Sequence, residues 1–170
     1  MRQAEALLRA ASGRLKRSAR PAAVADLSKL EQSARGTRYR LPLSPEAHRT
    51  ATDPVSCRIV GRGSLYPAHV IFLGSGVTIV PEEKSFNRIG EIVNGIGEAP
   101  PMLLVPGAGV LMSGNAPAGA DELARCLADV TARIGADDDP VFLTAEEETE
   151  LVDWEAERYR KALNVAAPSA

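Results

Sequence analysis

The residues best suited to chemistry fall into four small groups. The first is the turn Pro106-Gly107-Ala108-Gly109, in the stretch LLVPGAGVL that begins at Leu103. A phosphate cradle needs exposed backbone N–H groups where a loop enters a helix N-terminus. Here an apolar Val110-Leu111-Met112 follows instead of a helix, and neither Gly-x-Gly-x-x-Gly nor Gly-Lys-Ser/Thr is present. The turn therefore reads as a strand-to-strand corner whose glycines supply positive φ. The second group is His48 and His69, the only histidines. A catalytic zinc usually takes three protein ligands, commonly His, so no metal ligand is expected from this pair.

The third group is Gly61-Arg62-Gly63-Ser64, a turn with one cation and one hydroxyl that suits an anion. Neither Ser64 nor Ser75 sits in the Gly-x-Ser-x-Gly elbow of a hydrolase. The fourth is the acidic residues Glu82, Glu83, 137–139 and 146–148. General acid–base work needs a carboxylate in a pocket with a perturbed pKa, whereas runs like these are ordinarily solvated. No catalytic residue is expected. Arg62, Ser64, His69, Gly107 and Gly109 form the candidate ligand-binding set, on the condition that they converge in one pocket.

The elements that must position these groups follow from periodicity. Ala4, Leu7, Leu8, Ala11 and Leu15 predict a helix over 2–19, and Val24, Leu27 and Leu30 a second over 23–35 stopped by Gly36. Ser44-Pro45-Glu46 reads as a cap, a first-turn proline and an acidic first turn, so a short helix is expected there. Short β-branched runs at 57–60, 69–73 and 77–80 predict strands, with Gly74-Ser75-Gly76 as a hairpin turn. A helix is expected over 87–97, then strands at 102–105 and 110–112.

Residues 120–134 carry Leu123, Ala124, Leu127, Val130 and Ile134 on one helical face, with Asp121 and Glu122 favouring its N-terminus. Residues 137–140 read as a loop, and 141–143 as a short strand or connector. Thr144-x-x-Glu147 is a capping box opening a helix to about Leu163. In that helix Trp154, like Tyr159, is read as packing. The fold class expected is α/β: a single layered sandwich with a mixed sheet flanked by helices. Its organisation is an N-terminal helical extension over 1–40, an α/β domain over 41–164 and a frayed tail over 165–170.

Composition bounds the function. The chain has 170 residues, 45% hydrophobic and 25% charged, with aromatics at only 4%, so one aliphatic core is expected. A net charge of −2 argues against nucleic acid as a partner. The two ends are opposite in sign. Residues 1–40 hold ten Lys/Arg and three Asp/Glu, and residues 137–161 hold ten Asp/Glu and three Lys/Arg. Two solvated faces explain this, and so does docking of the basic start on the acidic end, within or between subunits. Cys57 and Cys126 make no Cys-x-x-Cys pair, which fits a reduced, cytoplasmic setting. No apolar run approaches membrane-spanning length.

From about Ser64 to Asn164 the chain resembles the C-terminal half of class II aldolase/adducin-type domains, nearest to long aldolase-like proteins of the rhamnulose-phosphate aldolase/dehydrogenase type. The residues that carry the resemblance are SLYPAHVIFLG from Ser64, LLVPGAGVL from Leu103, the helix over 120–134, LTAEEE from Leu143, and Trp154-Glu155-x-x-Arg158-Tyr159-Arg160. The resemblance implies a zinc-dependent aldolase lineage acting on sugar phosphates, with zinc held by His-x-His and a later His, and a separate Glu moving the proton. This chain has no His-x-His, and Ala108 stands where the later His would be. The upstream domain that normally supplies the first ligands and the Glu is not expected either. The function expected is therefore a non-catalytic or not self-sufficient aldolase-like domain without a cofactor, accessory to sugar metabolism. Its expected partners are a second copy or a companion aldolase-domain chain. The alternative is a small sugar-phosphate binder, or a lyase whose metal site a partner completes.

Overall fold

The stretch Met102–Val105 and the stretch Gly109–Ser113 pair antiparallel around the 106–108 corner, with Leu103 opposite Leu111 and Val105 opposite Gly109. The computed structural model that shows this describes residues 18–80 and 99–153. In chain order the elements are α1 (Leu27–Ala34), β1 (Tyr39–Arg40), a 3-10 turn (Pro45–His48), α2 (Arg49–Thr52), α3 (Pro54–Val60) and α4 (Pro67–Leu73). They continue with β2 (Thr78–Ile79), β3 (Met102–Val105), β4 (Gly109–Ser113), α5 (Ala120–Thr131) and α6 (Ala145–Asp153). The fold is thus mixed α/β, with six α-helices and a four-stranded sheet among the described residues.

The sheet order is β1-β4-β3-β2. β1 runs antiparallel to β4, and β2 runs parallel to β3 with Thr78 opposite Leu103. The sheet is mixed, as expected. Every residue of β3 and β4 is buried, because side chains that alternate across the pleat meet a core on both faces. Met102, Leu104, Val110 and Met112 pack with Ala47, Val60, Leu73 and Leu127. Leu103, Val105 and Leu111 pack with Leu30, Ala34 and Tyr39. Each such Leu contributes roughly 1.5–3 kcal/mol by leaving water.

Two predicted strands are helices. Residues 57–60 belong to α3 and residues 69–73 to α4. Both helices begin on a proline at N1, where the missing N–H costs nothing and φ is already helical. In α3 the Asp53 carboxylate accepts the Val55 N–H at 3.2 Å. That cap and the proline outweigh the β-preference of Val55, Ile59 and Val60. Gly74-Ser75-Gly76 is accordingly no hairpin turn: Gly74, at φ 92, ends α4, and the chain leads on into β2.

The helix expected over 23–35 is shorter, Leu27–Ala34, and Gly36 at φ 75 stops it as predicted. The Ser44-Pro45 start is present as the 3-10 turn and α2. α5 spans Ala120–Thr131, and its buried stripe is Ala120, Ala124, Leu127, Ala128 and Thr131. Small residues let it sit close to the neighbouring helices, and Leu123 is only half buried. Residues 141–143 form a connector in which the Leu143 N–H donates to the Ser64 carbonyl at 2.9 Å. The Thr144–Glu147 capping box is formed in both directions, at 2.8 and 3.2 Å. The helix expected over 87–97, residues 2–17 of the first predicted helix, and everything from Trp154 onward lie outside the described residues.

Candidate functional site

The glycine corner is a closed joint. Gly107 sits at φ 72 and Gly109 at φ 144, as a tight strand reversal requires. Its amides are taken. Gly107 N–H donates to the Ala51 carbonyl at 2.9 Å, Ala108 N–H to Val105 at 3.0 Å, and Val110 N–H to Nδ1 of His48 at 3.1 Å. An anion would find no free donor among these three. The 3-10 turn delivers His48 to this point, where the ring is buried. Because Nδ1 accepts a hydrogen bond, the neutral imidazole carries its proton on Nε2. Burial pushes its pKa below the ordinary histidine value.

His69, Ser64 and Tyr66 meet at the start of α4. His69 is fully buried, and its Nδ1 accepts the Leu65 N–H at 3.4 Å. Burial lowers its pKa to about 4, against the opposing pull of the Glu148 carboxylate. The Tyr66 and His69 rings are tilted at 55° with centroids 5.8 Å apart. His69 Nε2 and the Tyr66 hydroxyl are buried without a hydrogen-bond partner of ordinary geometry. Burial raises the pKa of Tyr66, and the Cys126 thiol beside it acts in the same direction. Ser64, also fully buried, accepts the Gly76 N–H at 3.0 Å, so it holds the loop that follows α4.

Arg62 lies apart. It donates to the exposed Asp139 carboxylate at 2.9 Å and covers the Phe142 ring at 4.8 Å. The structure therefore brings Ser64 and His69 near each other, with Arg62 in the loop before them. Gly107 and Gly109 lie at the β3–β4 corner against α2 and the 3-10 turn. None of the five lines either of two described cavities. The larger, about 660 Å³, is walled by α4, the loop 74–76, Pro100-Pro101 and the segment after β4. The smaller, about 220 Å³, lies between residues 22–27 and the helical stretch that begins at Pro45, and His48 lines it.

Two ion pairs organise the region. Arg20 donates to Asp53 at 3.1 and 2.5 Å, to Ser56 Oγ at 3.1 Å and to the Thr131 carbonyl at 2.9 Å, and also reaches the Ile134 carbonyl. One guanidinium thereby ties the capped start of α3 to the carbonyl end of α5. Burial works to raise the Asp53 pKa, but the hydrogen bonds from Arg20, Ser56 and Val55 outweigh it and hold the carboxyl low. Arg40 grips Asp121 with both nitrogens, at 3.0 and 2.7 Å. That contact, helped by the Leu43 N–H and opposed by burial, holds Asp121 low as well. Sequence reasoning assigned Asp121 to the helix dipole alone. The partner is far along the chain, and only the β1–β4 pairing brings it near. Of the basic residues described within 18–40, Arg20, Lys29 and Arg40 pair with Asp53, Asp26 and Asp121.

Among the described residues no group of three or more His, Cys, Asp or Glu side chains could hold a metal ion, and no helix is long and apolar enough to cross a membrane. Comparison with protein-family models, curated proteins and solved structures finds no match to this chain.

Proposed function

We propose that this chain is a class II aldolase-like α/β domain that does not perform aldol chemistry by itself and serves an accessory or interaction role in sugar metabolism. The observation that carries the reading is the β3–β4 corner. By the resemblance to class II aldolases, Ala108 takes the place of a metal-ligating His; its methyl is buried, and the amides around it are spent on Ala51, Val105 and His48. His48 is the one imidazole at this corner, and its Nδ1 is occupied. This donor set does not fit a zinc ion, which takes three protein ligands in a catalytic site.

Several finer points belong to the same reading. The helices over the two sheet faces make a layered sandwich preceded by an N-terminal helical segment. The setting is cytoplasmic. The partner is a second copy or a companion aldolase-domain chain, brought in partly by the opposite charges of residues 1–40 and 137–161. A sugar phosphate as ligand rests on the resemblance alone.

The test is elemental analysis of untagged protein together with a retro-aldol assay on sugar 1-phosphates in added zinc. The expected result is no stoichiometric metal and no cleavage. About one zinc per chain, with cleavage that His48→Ala abolishes, would overturn the reading. Sizing across a salt series tests the charge-driven assembly, which should weaken as screening increases.

A further inference from the structure

We infer that the cleft of about 660 Å³ between α4 and the Pro100-Pro101 segment is a binding site for a small organic anion, a carboxylate or phosphate monoester on an apolar body. Its size falls in the range of metabolite pockets. Its chemistry is divided. Val70, Ile71, Leu73 and the two prolines supply apolar wall, while Ser75, Thr78 and Asn115 supply hydroxyl and amide groups. Arg38 is the one charged side chain among the described residues that line it.

Arg38 differs from Arg20 and Arg40. Arg20 and Arg40 are each committed to a carboxylate, whereas the Arg38 side chain is exposed and makes no hydrogen bond or ion pair with any described residue. Among the described residues that line the cleft there is no Asp or Glu. A guanidinium at an apolar cleft, with no partner among the described residues, is suited to bidentate capture of a carboxylate or phosphate. The loop beside it is built for close approach. Gly76, at φ 68, has nothing within 4 Å of where a Cβ would stand, and buried Ser64 fixes its amide. The inference does not depend on the aldolase-like reading, since the cleft lies away from the β3–β4 corner.

Calorimetric titration of the full chain with phenyl phosphate, benzoate, benzyl alcohol and inorganic phosphate tests this. Phenyl phosphate or benzoate should bind saturably at one site, benzyl alcohol should not, and inorganic phosphate should bind more weakly. Arg38→Gln should weaken binding by about tenfold or more. Ser75→Trp, which obstructs the cleft and leaves the charge in place, should weaken it as well. Both positions are exposed, so the variants should fold, and circular dichroism checks that. Three results would each overturn the inference: no binding of either aromatic anion, equal affinity in Arg38→Gln, or inorganic phosphate binding as tightly as phenyl phosphate.

Discussion

His48 and Gly109 are in contact so close that no side chain fits between them. A Cβ on Gly109 would stand 2.5 Å from His48 Nδ1 and 2.9 Å from a Leu30 methyl. The glycine is needed for space as well as for its φ of 144. Gly109→Ala should therefore destabilise the fold by about 2–4 kcal/mol. Gly107, at φ 72, has nothing within 4 Å, so Gly107→Ala should cost only the backbone strain, about 1–2 kcal/mol. Urea unfolding of the two variants beside the parent measures the difference. Equal losses would show that φ, and not the His48 contact, sets the requirement.

Acid should weaken the fold in two separate windows. His69 has a folded pKa of about 4 against an ordinary 6.5, and His48 is shifted in the same direction. The unfolded chain then binds protons that the folded chain refuses, so stability falls as pH drops from about 6.5 towards 4. For His69 alone the loss reaches about 3 kcal/mol. Asp53 and Asp121, held below their ordinary 3.8, stabilise the fold above that value and lose their effect as pH falls further. His69→Phe should flatten the upper window and leave the lower one. Urea midpoints taken from pH 4 to 7.5 would reveal a slope unchanged by the substitution if the assignment to His69 is mistaken.

Arg20 should be worth far more than Arg62. The Arg20 and Asp53 side chains are 23% and 5% exposed, whereas those of Arg62 and Asp139 are 50% and 85% exposed. Arg20→Ala strands a buried carboxylate and two helix-end carbonyls, at a cost of about 2–4 kcal/mol. Arg62→Ala removes a solvated pair and should cost less than about 1 kcal/mol. Thermal and urea unfolding should rank the variants in that order, and Arg62→Ala equalling Arg20→Ala would contradict it.

Ser64→Ala should act on the cleft without touching a ligand. It leaves the Gly76 N–H without its acceptor, which costs about 1–3 kcal/mol, and frees the loop beside the cleft. The expected result is a lower unfolding midpoint together with weaker phenyl phosphate binding. A stability loss with unchanged affinity would make Ser64 a purely structural residue.

Much of the frame is legible in the sequence. The β3–β4 hairpin, the Ser44-Pro45 start, the stop at Gly36 and the Thr144–Glu147 box each rest on local chemistry. The misread elements have one cause. Asp53-Pro54 is the same kind of start signal as Ser44-Pro45, yet the β-branched residues after it favour strand, and α3 and α4 are only seven residues each. A helix so short shows little periodicity, and its burial against the sheet decides its state. Of the candidate site, Ser64 and His69 do lie together, because they are close in sequence. Arg38 gave no signal, since its distinction is the absence of a carboxylate among the described residues around it, which only the packed chain displays.

Both borders of the sheet are formed by two-residue strands, Tyr39–Arg40 and Thr78–Ile79. A border that short exposes too few backbone groups to recruit another chain by strand addition. The longer strands β3 and β4, buried throughout, occupy the two central positions. The described sheet therefore offers little backbone edge for pairing with another chain.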